Sequence, residues 1–249
     1  MTAVQIDEHD GVTVVRMAHG KVNALDLDLL AELTAVFHEI RTDAVVLTGA
    51  GRAFSAGVDL WRLLDGGPDY VREFLPALND AFLAVFGLGK PVVAAVNGHA
   101  IAGGAILAAA CDHRVMAAGT IGVTEVRVGV PFPPTALSIL AYAYGEPAAR
   151  RAVLTGATMG PADALAAGYV DEVTTPEALL DTAIARARLA VPADTYRLTK
   201  AQLQAGVRER LTHERPLIDP QVLDLWLRGV EDGRIHRYMA TVTGRGNAR

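Results

Sequence analysis

The sequence has one cysteine, no long apolar run and no apolar leader. The single Cys111 excludes an internal disulfide and any metal site built from several cysteines. No uninterrupted apolar stretch approaches the roughly 20 residues that a membrane-spanning helix requires. The first residues, MTAVQIDEHDG, are polar and do not have the pattern of a secretory signal. We therefore expect a soluble cytoplasmic protein without a bound metal ion.

Positive charge is also scarce. The chain has 23 Lys and Arg residues against 28 Asp and Glu residues, and its formal net charge is −5. This balance, without a basic stripe, excludes nucleic acid as an expected partner. Of the 249 residues, 51% are hydrophobic and 20% are charged, which is too apolar for a disordered chain. The length favours one large domain with a substantial core.

Segments of strand type and helix type alternate along the first half of the chain. Short β-branched runs predict strands at 4–6, 12–17, 44–48 and 91–96, the first two joined as a hairpin. Apolar residues at helical spacing predict a helix from Asp26 and another over 68–86, in which Pro76 should produce a kink. The alternation predicts an α/β fold with right-handed βαβ crossovers and a mainly parallel sheet.

The last third of the chain has a helical pattern. Segments 176–190, 192–210 and 216–230 are predicted helices separated at prolines, and the final GRGNAR is predicted to lack fixed structure. Because no linker precedes these helices, they do not form an independent domain. We expect a core over residues 1–190 and a helical region over 191–249 that serves as a lid or an assembly surface.

Two bends rich in glycine each follow a predicted strand and open a helix. They are Ala56-Gly57-Val58 and Ala102-Gly103-Gly104. Such bends leave backbone N–H groups free, and those groups attract negative charge together with the helix dipole. Tight packing of helix on strand would explain one such bend, but two in consecutive units favour a binding function. Neither bend has the spacing of a dinucleotide or P-loop motif.

A lone acid, Glu125, follows in the segment TIGVTEVRVGV. Most glutamates are solvated surface residues, but the apolar neighbours of this one predict a less exposed site. A carboxylate in such surroundings has a raised pKa and is a stronger base. Donors for an anion and a nearby carboxylate are the groups needed to remove a proton from carbon beside a carbonyl.

Five segments in order along the chain carry a family resemblance. They are VNALD at 22–26, VLTGAGRAFSAGVDL at 46–60, KPVVAAVNGHAIAGG at 90–104, CDHRV at 111–115 and TGATMGPADALAAGYVDEV at 155–173. Their combination resembles the crotonase superfamily of enoyl-CoA hydratases and isomerases, over roughly residues 4 to 200. The resemblance implies a spiral of ββα units, a helical C-terminal region that forms a trimer or a dimer of trimers, and a role in fatty acid metabolism.

The resemblance also implies a ligand and the residues that bind it. The ligand is an acyl-CoA thioester, with coenzyme A as part of the substrate and no tightly bound cofactor. By resemblance, the N–H groups of Val58 and Gly103 form an oxyanion hole for the thioester oxygen. The expected coenzyme A surface comprises Lys21, Val22, Ala24, Ser55, Ala56 and Asp59.

One position departs from the pattern of the family's hydratases. Those hydratases have two glutamates, and here the first matches Ile106, whereas the second matches Glu125. In this respect the chain resembles the mitochondrial-type Δ3,Δ2-enoyl-CoA isomerases. Hydration needs help on the water and on C2 together, whereas moving a double bond needs one base that takes a proton from C2 and returns it at C4. We therefore predict an isomerase with Glu125 as acid and base.

Two alternatives stay open at the level of sequence. One is an enoyl-CoA hydratase, or another crotonase reaction, in which Asp59 or Asp69 supplies the second acid. The other is a non-catalytic acyl-CoA-binding protein that uses the same pocket. Turnover of a 3-enoyl-CoA or hydration of a 2-enoyl-CoA separates these alternatives.

Overall fold

Nine strands and eleven helices are present in residues 2–243, the part of the chain that the computed structural model describes. The strands are β1 (Val4–His9), β2 (Val12–Met17), β3 (Ala44–Gly49), β4 (Ala53–Ser55), β5 (Val92–Val96), β6 (His99–Ile101), β7 (His113–Met116), β8 (Ile121–Gly122) and β9 (Glu172–Val173). The helices are α1 (Leu27–Glu39), α2 (Leu60–Phe86), α3 (Gly103–Ala110), α4 (Glu125–Val128), α5 (Pro134–Tyr144), α6 (Glu146–Thr155), α7 (Pro161–Ala166), α8 (Leu179–Ala187), α9 (Ala193–Leu203), α10 (Ala205–Glu231) and α11 (Arg234–Thr243).

The strands form two sheets. The larger has the order β1-β2-β3-β5-β7-β9, and the smaller has the order β4-β6-β8. Strands β1 and β2 form an antiparallel hairpin through Asp10 and Gly11, which both have positive φ, as the favoured two-residue hairpin turn requires. The remaining pairings of the described strands are parallel. The predicted hairpin and the mainly parallel sheet are confirmed.

Three consecutive ββα units wind into a spiral. They are β3–β4–α2, β5–β6–α3 and β7–β8–α4, and in each the first strand joins the larger sheet while the second joins the smaller. Because the strands of the smaller sheet are parallel, the starts of α2, α3 and α4 follow the same edge of that sheet. The spiral of ββα units and the helical C-terminal region are therefore confirmed.

The inner strands of the larger sheet, β2, β3 and β5, are buried on both faces. Val15 and Leu47 belong to the main core with α1, α2 and α3, whereas Val14 and Val46 belong to a second core with Leu179 of α8. Neighbouring residues of a strand point to opposite faces, so a sheet covered on both sides needs nearly continuous apolar strands. This is why the strands of the sequence appear as unbroken apolar runs.

One expectation about prolines needs correction. Helix α2 departs from helical backbone angles at Gly67 (φ 65°, ψ −157°), just before the predicted helix over 68–86, and the kink at Pro76 stays a prediction. Helix α10 continues through Pro216 and Pro220, so the predicted separation of helices at Pro216 is wrong. An interior proline costs about 3 kcal/mol of helix propensity. The burial of Trp226 and other apolar residues of α10 favours the continuous helix over that local preference.

The C-terminal helices pack on different parts of the core. Helix α8 packs on the larger sheet, α10 packs on α2 and α5, and α11 packs on α2 and α4. The boundary near residue 190 stays a prediction, and the segment GRGNAR lies outside the described residues. None of the helices within residues 2–243 is long and apolar enough to cross a membrane.

A partly buried ion pair joins α9 to the loop after α3. The Nζ of Lys200 donates to Oδ2 of Asp112 at 2.7 Å and to the carbonyl of Lys90 at 3.2 Å, and Lys200 is only 5% exposed. The same Asp112 oxygen accepts from the backbone N–H of Val92 at 2.9 Å. The pair therefore connects the C-terminal region to the first residue of β5.

We expect Lys200→Met to lower the free energy of unfolding by about 2–3 kcal/mol, because Asp112 would lose its charged partner at a half-buried position. Chemical denaturation with circular dichroism measures the change. Lys21→Met, at an exposed position, is the matched control and should change the unfolding free energy little. Equal values for the two variants would show that the ion pair does not hold α9 in place.

Candidate active site

The two glycine bends meet in space. A Cβ built on Gly57 would lie 2.6 Å from the carbonyl oxygen of Ile101 and 3.2 Å from the backbone nitrogen of Gly103. A Cβ built on Gly103 would lie 3.9 Å from the Cα of Gly57 and 2.8 Å from a methyl of Leu25. Because no side chain fits between them, glycine at both positions allows the two backbones to touch.

The contact brings two free N–H groups to the same place. Leu25 donates to the carbonyl of Gly57 at 2.8 Å, and Asp59 donates to the carbonyl of Leu25 at 2.9 Å. In such a parallel bridge the residue between, Val58, directs its own N–H to the other side. Gly103 is the first residue of α3, so its N–H has no acceptor within the helix. Among the described residues, neither N–H has an acceptor.

Strained backbone holds the second bend. Ala102 has φ 52° and ψ −123°, a conformation that L-residues rarely adopt. Its N–H donates to the carbonyl of Gly122 at 2.8 Å, and its carbonyl accepts from Ala105 and Ile106. A non-glycine residue at positive φ costs about 1–3 kcal/mol and persists only where its surroundings fix it. Here β8 and the first turn of α3 fix the direction of the Gly103 N–H.

Buried polar groups hold the first bend. Asn23, which also has positive φ at 50°, donates from Nδ2 to the carbonyls of Ala50 and Ala53. The hydroxyl of Ser55 donates to the carbonyl of Asn23 at 2.7 Å and accepts from the N–H of Gly57 at 3.2 Å. Sequence reasoning missed Asn23 as a supporting residue. The signal was present, because Asn tolerates the left-handed region better than most residues.

A second supporting pair precedes this network. The Nε2 of His19 lies 2.8 Å from Oδ2 of the buried Asp26, and Oδ1 of Asp26 caps α1 by accepting from Leu29. The backbone N–H of His19 donates to the side chain of Asn23 at 3.0 Å. The loop that carries the expected coenzyme A residues is therefore fixed at both ends. The sequence showed Asp26 as a helix start but gave no indication of its pairing with His19.

The six residues expected on the coenzyme A surface divide by exposure. Lys21 and Val22 are exposed, Ala24, Ala56 and Asp59 are half-buried, and Ser55 is fully buried within the network just described. Asp59 caps α2 by accepting from the N–H of Arg62 at 3.0 Å. The exposed and half-buried residues therefore form a surface beside the two bends, and Ser55 supports it from inside.

Glu125 is a buried carboxylic acid at the start of α4. It is 5% exposed, and its Oε2 has no hydrogen-bond partner within residues 2–243. Burial raises the pKa of Glu125 to about 8, although the nearby backbone N–H groups of Thr124 and Glu125 oppose the rise. A buried acid with an unpaired oxygen calls for a functional explanation, since such atoms are normally paired.

Neither of the other suggested acids is buried as Glu125 is. Ile106 is buried in α3, a helix whose eight residues are all buried and uncharged. The side chain of Asp69 is 96% exposed and pairs with Arg72. Asp59 is occupied as the cap of α2. Of the two buried acids in the described residues, Asp26 pairs with His19 and caps α1, whereas Glu125 has an oxygen without a partner.

The last helix covers this region. In α11, Arg234 donates to the carbonyl of Gly129 at 3.2 Å, and Ile235 is fully buried against Gly229. The ring of His236 meets that of Trp61 edge to face, with 5.9 Å between ring centroids. Helix α11 therefore closes the space between the start of α2 and α4. Within the described residues, no group of three or more His, Cys, Asp or Glu side chains is placed to hold a metal ion.

Comparison with known proteins gives a consistent result. A family model described as enoyl-CoA hydratase/isomerase matches residues 7–223. The mitochondrial enoyl-CoA delta isomerase 1 of Homo sapiens is 31% identical over 222 residues, which covers 85% of this chain and 74% of the relative. A putative enoyl-CoA hydratase of Thermus thermophilus is 38% identical over 213 residues, covering 81% and 83%. The crystal structure of human mitochondrial Δ3-Δ2-enoyl-CoA isomerase superposes with a TM-score of 0.86 at 27% identity, covering 98% of this chain and 97% of that one.

The buried acid predicts a distinctive dependence of stability on pH. Because the folded-state pKa of Glu125 lies above the usual value of 4.5, the wild-type protein loses stability as pH rises from that value through about 8. Glu125→Gln carries no titrating group there. We therefore expect its stability relative to wild type to increase over this window by up to about 1.4 kcal/mol per pH unit.

Urea denaturation between pH 5 and about 8.5 tests this. Glu39→Gln, at an exposed position of α1, is the matched control and should track the wild-type curve. A constant difference between Glu125→Gln and wild type at all pH values would contradict a raised pKa for Glu125.

Proposed function

Because the chain belongs to the enoyl-CoA hydratase/isomerase family, we propose that it moves the double bond of a 3-enoyl-CoA to the 2 position. The observation that carries this proposal is Glu125, a buried carboxylate whose Oε2 has no partner within residues 2–243, together with Ile106 at the position of a second acid. Isomerisation needs one base that acts at two carbons of the same chain, and the site offers one.

The oxyanion hole is proposed to consist of the N–H groups of Val58 and Gly103. The thioester oxygen would accept from both donors, and the bonds would strengthen as negative charge develops on that oxygen. Donors fixed before the reaction favour the enolate over the ground state without further reorganisation. The contact of Gly57 with Gly103 supports this role because it fixes the spacing of the two donors.

Glu125 is proposed as the acid and base. Its carboxylate takes the proton from C2, and the electron pair of the broken C–H bond moves onto the thioester oxygen to give a dienolate. The same carboxylic acid then donates that proton to C4, so the double bond comes to lie between C2 and C3. A pKa of about 8 populates both protonation states near neutral pH, which suits a group that must accept and return one proton.

The coenzyme A moiety is proposed to bind along the surface formed by Lys21, Val22, Ala24, Ala56 and Asp59. Ser55 contributes through its hydrogen bonds to Asn23 and Gly57, which hold the loop beneath that surface. Coenzyme A would enter and leave as part of the substrate, and no tightly bound cofactor takes part in the proposed reaction.

A homotrimer, or a dimer of trimers, is the proposed assembly. Its support is the set of apolar side chains that α9 and α10 leave exposed, among them Leu198 at 60%, Leu203 at 65% and Leu217 at 70%. Large apolar side chains grouped on one outer region of a protein favour contact with another subunit.

Hydration is the second candidate, and the identity to the putative hydratase of Thermus thermophilus favours it. It requires a second acid beside the substrate. Asp69 is exposed and paired, and Asp59 caps α2, so neither is free for this role in the described structure. The isomerase proposal therefore accounts better for the site.

Supplying a 3-enoyl-CoA and a 2-enoyl-CoA separately tests the proposal. We expect the wild-type protein to convert the first and to hydrate the second at least about 100-fold more slowly. Glu125→Gln should lower isomerisation by at least about 100-fold, the usual contribution of a general base, while acyl-CoA binding survives. Asp69→Asn is the matched control and should keep the wild-type rate.

Comparable hydration and isomerisation by the wild type would refute the single-carboxylate mechanism, and turnover of neither substrate would indicate a binding protein.

The contact between the bends gives a further test. Gly57→Ala would push a methyl group against Ile101 and Gly103 and separate the two donors. We expect a loss of about 10²–10³ in kcat, the effect of losing one oxyanion donor. Gly51→Ala is the matched control, since Gly51 also has positive φ (71°) but open space where its Cβ would lie. Both variants must show wild-type circular dichroism, and equal rates for the two would remove the contact from the mechanism.

A further inference from the structure

The three residues that follow α4 are held by two helices of the C-terminal region. The Nη1 of Arg234 in α11 donates to the carbonyl of Gly129 at 3.2 Å. The indole Nε1 of Trp226 in α10 donates to the carbonyl of Pro131 at 3.0 Å. Two helices that are distant along the chain therefore anchor residues 129–131, one at each end.

Apolar packing completes this anchor. Val130, which lies between the two bonded carbonyls, is 4% exposed, and its Cγ1 lies 3.5 Å from a Cβ built on Gly229 of α10. The Cδ1 of Ile235 in α11, a fully buried residue, lies 3.1 Å from the same Cβ. Because close-packed side chains transmit displacement to their neighbours, Val130 follows any movement of α10 and α11.

The anchored residues also fix the backbone of Glu125. The N–H groups of Gly129 and Val130 both donate to the carbonyl of Glu125, at 3.0 and 3.2 Å. Gly129 has φ 87°, the left-handed conformation that commonly ends a helix. Helix α4 has only four residues, so bonds at its end reach back to its first residue, Glu125. A displacement of residues 129–131 would therefore displace Glu125.

The carboxyl group of Glu125 is supported by its own helix start. The backbone N–H groups of Thr124 and Glu125 favour its charged form, whereas its Oε2 has no partner within residues 2–243. The position of the carboxyl group therefore follows the position of α4.

Arg234 is itself held in one orientation. Its Nε donates to both carboxylate oxygens of Asp232, at 3.1 and 2.9 Å, and its Nη2 donates to Oδ2 of the same group. A guanidinium that is bound through two nitrogens to one carboxylate is fixed in direction as well as in charge. This pairing leaves Nη1 to donate to Gly129, so Arg234 acts on α4 as a fixed hydrogen-bond donor and not as a free cation.

We propose that Arg234 is a positioning residue for the reaction, and that its bond to Gly129 holds α4 so that Glu125 faces the substrate carbons. The inference rests on the proposed function, because it assigns a role in the reaction of that same site. Arg234 acts through the backbone of α4 and does not touch the substrate.

Arg234→Met tests this role, because it removes the donor but keeps an apolar stem beside Gly129. We expect kcat for a 3-enoyl-CoA to fall by about 10- to 100-fold, the effect of a small misplacement of a reacting group, while KM changes by less than about twofold. Arg237→Met is the matched control, since Arg237 lies in the same helix and donates to the carbonyl of Asp232 at 2.9 Å. This variant should keep the wild-type kcat.

The protonation of Glu125 provides a second measurement that does not need turnover. Burial raises the pKa of Glu125 to about 8, so a shift of α4 that admits water should lower this pKa towards the usual value of 4.5 in Arg234→Met. Loss of a nearby positive charge alone would instead raise it. Infrared titration of the carboxyl band that disappears in Glu125→Gln, recorded with and without the Arg234 substitution, measures the change.

An unchanged kcat in Arg234→Met, or a pKa of Glu125 that stays the same or rises, would overturn the inference. An equal loss of kcat in Arg237→Met would do so too, because it would assign the effect to α11 as a whole and not to the bond with Gly129. If the wild-type protein converts neither a 3-enoyl-CoA nor a 2-enoyl-CoA, the proposed function fails, and the infrared titration still decides whether Arg234 holds Glu125 in place. If circular dichroism shows that Arg234→Met is misfolded, Arg234→Gln, which has a shorter polar side chain, takes its place in both measurements.

Discussion

The approach of two backbones at Gly57 and Gly103 is the constraint on which the rest of the site depends. The loop before α1, the bend after β4 and the bend after β6 all converge on this contact. Each is held by groups that point away from the proposed substrate, namely Asn23 and Ser55 for one bend and the strained Ala102 for the other. Since no side chain fits at the contact, packing elsewhere fixes the positions of two N–H groups that have no acceptor within residues 2–243.

Two carboxylates of the described structure, Asp112 and Glu125, differ in whether they have a charged partner. Lys200 and Asp112 are paired, and their interaction holds a helix of the C-terminal region in place. Glu125 is more deeply buried than Asp112, but its Oε2 has no partner in the part of the chain that the structure describes. A buried group without a partner lowers stability, and such costs concentrate where a protein meets its ligand. The contrast distinguishes the structural carboxylate from the one proposed to react, although both belong to ββα units of similar sequence pattern.

Local sequence predicted the features that depend on local backbone preferences. Asp10-Gly11 specified a hairpin, the apolar runs specified a sheet buried on both faces, and the apolar neighbours of Glu125 indicated its burial. Features that depend on distant partners were not predictable in this way. Pro216 favours a helix end, yet packing of α10 against α2 and α5 continues the helix through it.

Dependence on distant partners also explains which supporting residues of the candidate site the sequence did not indicate. The pairing of His19 with Asp26 and the bonds from Asn23 to the strand end near Ala53 exist only once the chain has folded. The residues themselves indicated the two glycine bends, and the family resemblance then indicated Val58 and Gly103 as the N–H donors expected within them.

The spiral has a consequence for how the site is divided along the chain. Successive turns end at one edge of the small sheet, and they deliver Val58, then Gly103, then Glu125 at corresponding points. The proposed site therefore takes one group from each of three successive ββα units, and neighbouring strands of the small sheet lie about 4.8 Å apart. The length of a ligand that contacts all three groups must therefore match the spacing between successive ββα units. Inserting one residue into a single ββα unit would displace one of the three groups, while the groups of the other two units kept their positions.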